Sequence, residues 1–324
     1  MADSSFDVVT GAFGYIGRYI ARCLLDAGRS AKTLTRNPCR PNPFGERVAA
    51  LPYRFDRPDE LTASLRGADT LYNTYWVRFE HAGARFDRAI ANTITLLRAA
   101  EAAGVRRLVH ISVTNPSLAS PLPYYRGKAV LEEFIARTRL SHAILRPAVV
   151  FGPEDILVNN IAWLLRKLPV FVIPGRGDYR LQPVFVEDLA RLAVDAGRRG
   201  DNVVLDTVGP ETFTFDELVR LLAKAVGSRA RIIHAPPAVP LLIARFLGPL
   251  VGDVLLTRDE LAGLMTNLLV SQPNGASRTH PTHSQHAPTC PTAFSAWLAT
   301  HAGRLGRAYA SELARHYRHG QRGH

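Results

Sequence analysis

The chain has 324 residues, 47% apolar and 21% charged, a globular balance with length for one large α/β domain or a dinucleotide domain and a smaller partner. Its net charge of +12 comes without a helix-turn-helix, zinc-finger or RNA-binding signature, so nucleic acid is not expected; arginine-rich solvated faces, an anionic membrane or a phosphate-rich ligand remain. Cys23, Cys39 and Cys290 lie too far apart for a metal or redox motif, and "MADSS" leads into an apolar run only one strand long, so a reducing, cytoplasmic location is expected.

Strand-like runs fall at Phe6–Thr10, Ala31–Leu34, Val48–Phe55, Thr70–Asn73, Leu108–Ser112 and His142–Leu145. Amphipathic stretches lie between them: in "YIGRYIARCLLDAG", Ile16, Ile20, Leu24 and Leu25 share a helix face, and "ARFDRAIANTITLLRAAEAAG" is similar. Gly28 and Gly104 stand where left-handed helix caps are wanted. This alternation predicts an α/β fold with a Rossmann-type doubly wound parallel sheet over residues 1–150. Beyond Pro147 the pattern loosens into a smaller α+β substrate or cap region over 151–270, interleaved with the core. "FTFDELVRLLAKAVG" there is a helix with Thr214 as its cap. "APPAVPLLIARFLGPLVGDVLLT" is too broken by prolines and Arg245 to span a membrane. It reads either as a buried or cap helix pair or as a surface touching a membrane or a lipophilic, quinone-like molecule, which would place the protein peripherally at a membrane. A loose loop over 271–292 carries His280, His283, His286 and Cys290, but a Pro-rich segment does not preorganise ligands, so no metal is expected. A helical tail over 293–324 ends in a basic stretch.

Between the first strand and helix, "TGAFGYIG" sets Gly11, Gly14 and Gly17 at the places where a tight turn, close approach of backbone to a pyrophosphate, and helix–strand packing need them. The helix N-terminus then offers free N–H groups to phosphate. The Gly-x-x-Gly-x-x-Gly spacing, "YRFDRPDELTASLRGADTLYN", "NTITLLRAAEAAGVRRLVHIS", "LRPAVVFGP" and "QPVFVEDLA" together resemble the extended or atypical branch of the short-chain dehydrogenase/reductase superfamily, the NAD-dependent epimerase/dehydratase type. Within it the chain is most similar to relatives of the NADPH-binding accessory subunit of respiratory complex I and to NmrA-like proteins. The resemblance implies a dinucleotide held by Thr10, Gly11, Phe13, Gly14, Tyr15, Ile16 and Gly17, with Asp56 beside the adenine and with Asn73, Thr74 and Lys128. The second strand ends in Thr35 and Arg36 where a carboxylate would bind a ribose 2′-OH. Arg36, helped by Lys32 or Arg40, suits a 2′-phosphate, so NADP(H) is expected over NAD(H).

The superfamily's chemistry uses a Tyr-x-x-x-Lys pair and an upstream serine. "HISVTNPSLASPLPYYRGK" offers Ser112, Tyr124 and Lys128, while Tyr125 has Ala129 four residues on and does not fit. Tyr124 and Lys128 share a helix face, so the ammonium can lower the phenol's pKa. Ser112 would polarise a carbonyl, and Asn92 would hold structure or a relay water. The bulky "LYNTYW" departs from the small residues usual there. The expected activity is an NADP-dependent oxidoreductase acting on a small or lipophilic carbonyl or quinone-like substrate. The alternatives are a non-catalytic NADPH-holding accessory or redox-sensor protein, and a sugar-nucleotide epimerase/dehydratase.

Overall fold

The computed structural model describes residues 5–81, 83–272 and 289–316. In chain order the elements are β1 (Phe6–Thr10), α1 (Tyr15–Asp26), β2 (Ser30–Thr35), β3 (Val48–Pro52), α2 (Pro58–Leu65), β4 (Ala68–Asn73), α3 (Phe86–Ala102), β5 (Arg107–Ile111), α4 (Pro123–Ala136), β6 (Ser141–Pro147), β7 (Val149–Phe151), α5 (Ile156–Lys167), β8 (Val170–Pro174), β9 (Arg180–Leu181), β10 (Pro183–Phe185), α6 (Val186–Arg198), β11 (Val203–Thr207), β12 (Phe213–Thr214), α7 (Phe215–Ala225), β13 (Arg231–Ala235), α8 (Ala238–Val251), α9 (Arg258–Met265), α10 (Phe294–His301) and α11 (Glu312–His316). The chain divides into two compact units.

The first unit takes the chain up to Pro147 together with Leu189–Asp206. Its seven-stranded parallel sheet has the order β11-β6-β5-β4-β1-β2-β3, a doubly wound Rossmann-type arrangement. The order reverses between β1 and β4, where a crevice opens at the strands' C-terminal ends, the usual place for a ligand in such sheets. Leu61 and Leu65 of α2 and Leu96 and Leu97 of α3, all fully buried, pack with Leu71 and Leu108 of the sheet. Gly28 and Gly104 end α1 and α3 with φ of +71° and +76°, as capping glycines should. β3 stops at Pro52 rather than reaching Phe55, because Arg54 turns left-handed (φ +47°) and breaks the pairing.

The segment Leu189–Asp206 completes this unit from far along the chain. Buried Arg107 donates through Nε to the Ala196 carbonyl (3.1 Å) and through Nη1 to Ser141 Oγ (2.6 Å). Arg106 Nη2 donates to the Gly197 carbonyl (2.9 Å), and Gly197 must lack a side chain because a Cβ there would lie 2.2 Å from Tyr72 Oη.

The second unit comprises Ala148–Asp188, Thr207–Gln272 and the described residues beyond 288. It pairs β7 with β10 and β8 with β13 in parallel, and β9 with β12 antiparallel. Thr214 caps α7 in a reciprocal box with Glu217. Its core joins Phe151, Ile161, Leu165, Leu222, Phe294 and Trp297. The buried alternative for the apolar stretch after Ala235 needs correction: Leu242, Phe246 and Leu250 of α8 are 55%, 70% and 81% exposed. Among the described residues no helix is long and apolar enough to cross a membrane.

Candidate functional site

The glycine turn sits at the switch point. Gly11 has φ of +67° and returns its N–H to the Leu34 carbonyl (2.9 Å), while Gly14 N–H closes the turn on the Gly11 carbonyl (2.8 Å). A Cβ on Gly17 would lie 2.4 Å from the Gly11 carbonyl oxygen, so only glycine lets α1 pack this tightly on the turn. Gly14 is the N-cap of α1; no side chain caps the helix, and no acid occupies its first turn. Such an end favours phosphate through free N–H groups and the helix dipole. The cradle therefore fits a dinucleotide on local geometry.

β1 and β4 are clasped beside it. Thr10 Oγ1 accepts from the backbone N–H of Thr74 (2.7 Å) and Tyr75 (3.0 Å) and donates to Asn73 Oδ1 (3.2 Å); Thr74 Oγ1 donates back to the Thr10 carbonyl (2.5 Å). Asn73 Nδ2 donates to His110 Nδ1 (3.0 Å), and burial with the nearby Lys128 charge holds that imidazole neutral, well below its ordinary pKa. Thr10, Phe13 and Asn73 are thus buried supports of the turn, while Tyr15 and Ile16 stand half-buried in the first turn of α1.

Arg36 is exposed just past β2 and makes no ion pair among the described residues. Its charge acts on the phenol of Tyr53, whose pKa burial raises. Tyr53, Phe55 and Tyr75 form an aromatic corner, with ring centroids 4.8 to 5.3 Å apart. Asp56 follows it, with its side chain 77% exposed and 3.9 Å from Arg57. Lys32 does not join Arg36: its ammonium lies 3.6 Å from the centroid of the Phe6 ring, toward the opposite end of the strands. Arg29 is also spent there, bridging Asp7 and Asp69.

The structure places Tyr124 and Lys128 on α4, whose first turn starts at Pro123. Lys128 is only 3% exposed; Nζ donates to the Ile111 carbonyl (2.7 Å), and the Trp76 ring lies over it at 4.5 Å. Desolvation lowers the ammonium to about 7, with Glu132 opposing the shift. Half-buried Tyr124 meets Trp76, Phe86 and Tyr125 edge-on at 5.9, 6.1 and 5.5 Å. Trp76 fits over α4 because Gly127 has no side chain: a Cβ there would stand 2.9 Å from the indole. Tyr125 is buried, which raises its phenol's pKa.

Ser112 is not presented to open space. It is buried, and Oγ donates to Glu132 Oε1 (2.5 Å); Arg146 donates to the same carboxylate, through Nη2 to Oε2 (2.5 Å) and through Nε to Oε1 (3.0 Å). Asn92 Nδ2 donates to Tyr75 Oη (2.9 Å), tying α3 to the aromatic corner. Glu132 escapes a motif reading, although its place four residues after Lys128 is a usable signal; Arg146 stands in the quoted "LRPAVVFGP" without a role assigned to it. Tyr75 and Trp76 are visible only as bulk in "LYNTYW".

His280, His283 and His286 lie outside the described residues. Cys290 is buried beside Thr289, and burial raises its thiol to about 11, an inert state. Among the described residues no cluster of metal-ligating side chains occurs.

A family model described as NAD(P)H-binding matches residues 11–155. Subunit 9 of the mitochondrial NADH dehydrogenase [ubiquinone] 1 alpha subcomplex from Arabidopsis thaliana is 27% identical, over 81% of this chain and 70% of its own length; across this subunit from Arabidopsis thaliana, Dictyostelium discoideum and Mus musculus the chain spans 65–70% of the relative's length. A ceramide reductase from Caulobacter vibrioides is 26% identical over 70% of this chain and 73% of that protein. A solved nucleoside-diphosphate-sugar epimerase from Staphylococcus aureus superposes with a TM-score of 0.68 at 17% identity, covering 91% of this chain and 99% of the other, a likeness of fold alone.

Proposed function

We propose that this chain, which carries an NAD(P)H-binding domain and resembles the extended short-chain dehydrogenase/reductase family, holds NADP(H) as a retained ligand, in an accessory or sensing role, with Lys128 and Ser112 closed off. The observation that carries this reading is the state of Lys128: buried, bonded to the Ile111 carbonyl and roofed by Trp76, while Ser112 is engaged by Glu132. Gly11, Gly14 and Gly17 would receive the pyrophosphate at the α1 N-terminus, and Arg36 would pair with the 2′-phosphate. The bound nicotinamide would supply hydride chemistry; in this reading the chain leaves it unused.

A second reading, an NADP(H)-dependent reductase, is favoured by a different observation. Tyr124 is half-exposed, Lys128 lies four residues on, and the ammonium's lowered pKa suits proton work near neutrality. Rotation of Trp76 would open the pair to a flat, lipophilic carbonyl or quinone able to stack among Trp76, Phe86 and Tyr124.

Nicotinamide fluorescence titrations, followed by NADPH oxidation assays with quinones, aldehydes, ketones and sugar nucleotides, separate the two. The accessory reading expects NADPH bound more tightly than NADH, no turnover by the wild type, and the preference reversed in Arg36→Glu. Turnover that disappears in Tyr124→Phe while NADPH binding survives overturns it in favour of the reductase. Tighter binding of NADH by the wild type overturns the role given to Arg36.

A further inference from the structure

The exposed side of α8 is unlike the rest of the surface. Val239, Leu242, Ile243, Phe246 and Leu250 are 39%, 55%, 37%, 70% and 81% exposed. Their spacing of three and four residues puts them in one stripe about 100° wide, while Pro240 and Gly248 are buried on the helix's other side. Scattered exposed apolar residues are ordinary, but a contiguous stripe led by Phe and Leu marks an interaction surface.

Charge narrows the partner. From Ser228 to Thr257 the chain has three arginines, Arg229, Arg231 and Arg245, all exposed, and one acid, Asp253, which is buried. Asp253 is occupied within the fold, accepting from Tyr309 Oη (2.9 Å) and from the backbone N–H of Glu312 (2.7 Å) and Leu313 (3.1 Å). No carboxylate in this segment is left to answer an arginine, so two such segments facing each other directly would meet arginine with arginine. Arg245 sits at the edge of the stripe, where its stem can lie along apolar groups with the guanidinium in water. With 14 residues and an internal Pro249, α8 is about 21 Å long, too short to cross a bilayer but long enough to lie along one.

We propose that α8 docks the protein on an anionic membrane surface: the Val239–Leu250 stripe enters the headgroup–acyl boundary, and Arg245 at its edge engages lipid phosphates. The net charge of +12 gives the chain the complementary sign for the long-range attraction.

The full-length protein is sedimented with vesicles of phosphatidylcholine alone and of phosphatidylcholine mixed with phosphatidylglycerol. Pelleting with the anionic vesicles only, reversed by high salt, is expected, with partitioning reduced about tenfold or more in Phe246→Glu/Leu250→Glu. Circular dichroism and melting check that this variant is folded. Should it not fold, Phe246→Trp replaces it, and quenching of the new indole by brominated anionic lipid is expected. No vesicle binding by the wild type, equal binding to neutral vesicles, or no quenching of Phe246→Trp overturns the proposal. A wild-type dimer that the double variant converts to monomer also overturns it and makes the stripe a self-interface.

Discussion

Lys128 ties the site's chemistry to the protein's stability. Burial lowers its pKa from 10.5 to about 7, so between those values the unfolded chain binds the additional proton. Stability therefore rises with pH across that window. The penalty is complete below about 7 and gone above 10.5. Lys128→Met keeps the length and removes the charge, and urea unfolding at pH 7 and 9.5 should show a flatter pH dependence than the wild type, a difference of a few kcal/mol at most, roughly. Equal slopes for the two proteins would contradict the lowered pKa. Glu132 is the neighbouring hazard, because it holds both Ser112 and Arg146. Glu132→Gln leaves a buried guanidinium uncompensated and should cost about 3–5 kcal/mol in the same assay, whereas Glu132→Leu/Arg146→Met should recover most of the loss.

At the scale of elements, the β1–α1 turn is the most exacting junction. Gly17→Ala places a methyl 2.4 Å from the Gly11 carbonyl oxygen, so α1 must lift from the turn. NADPH titration should show affinity falling about tenfold or more. Wild-type affinity would mean that the turn does not cradle the nucleotide. This junction is legible in the sequence because its determinants are local: an apolar run, three glycines, an amphipathic helix. Six strands and the caps at Gly28 and Gly104 are legible for the same reason. The surroundings of Tyr124 and Lys128 are not, because Trp76 reaches α4 from 52 positions upstream of Lys128, and Arg146 reaches Glu132 from the next strand. Motif spacing identifies Ser112 but not the carboxylate that occupies its hydroxyl. The stretch holding α8 stays ambiguous in the sequence, because an apolar stripe at helical spacing can face a core or a partner; the exposure of Leu242, Phe246 and Leu250 makes it a surface.

At the scale of the whole molecule, each unit has a buried cluster of its own. Trp297, 6% exposed, packs with Phe151, Phe185 and Phe294 in the second unit, and the nucleotide cradle lies entirely in the first. Trp297→Ala should cost about 3–5 kcal/mol of stability in calorimetry and leave NADPH affinity within about twofold. A collapse of affinity would show that the second unit helps to hold the nucleotide. The return of Leu189–Asp206 to the first unit has a consequence for ancestry and engineering alike. A fragment ending at Pro147 would lack the strand beside β6 and the carbonyls of Ala196 and Gly197 that receive Arg107 and Arg106, and would lay the edge of the sheet open. The nucleotide-binding half is therefore not a cassette that a gene could gain, lose or trade by a single cut. It has to be inherited with the segment that interrupts it, and a split-protein version would need its joint placed inside that insertion, with both pieces supplied together.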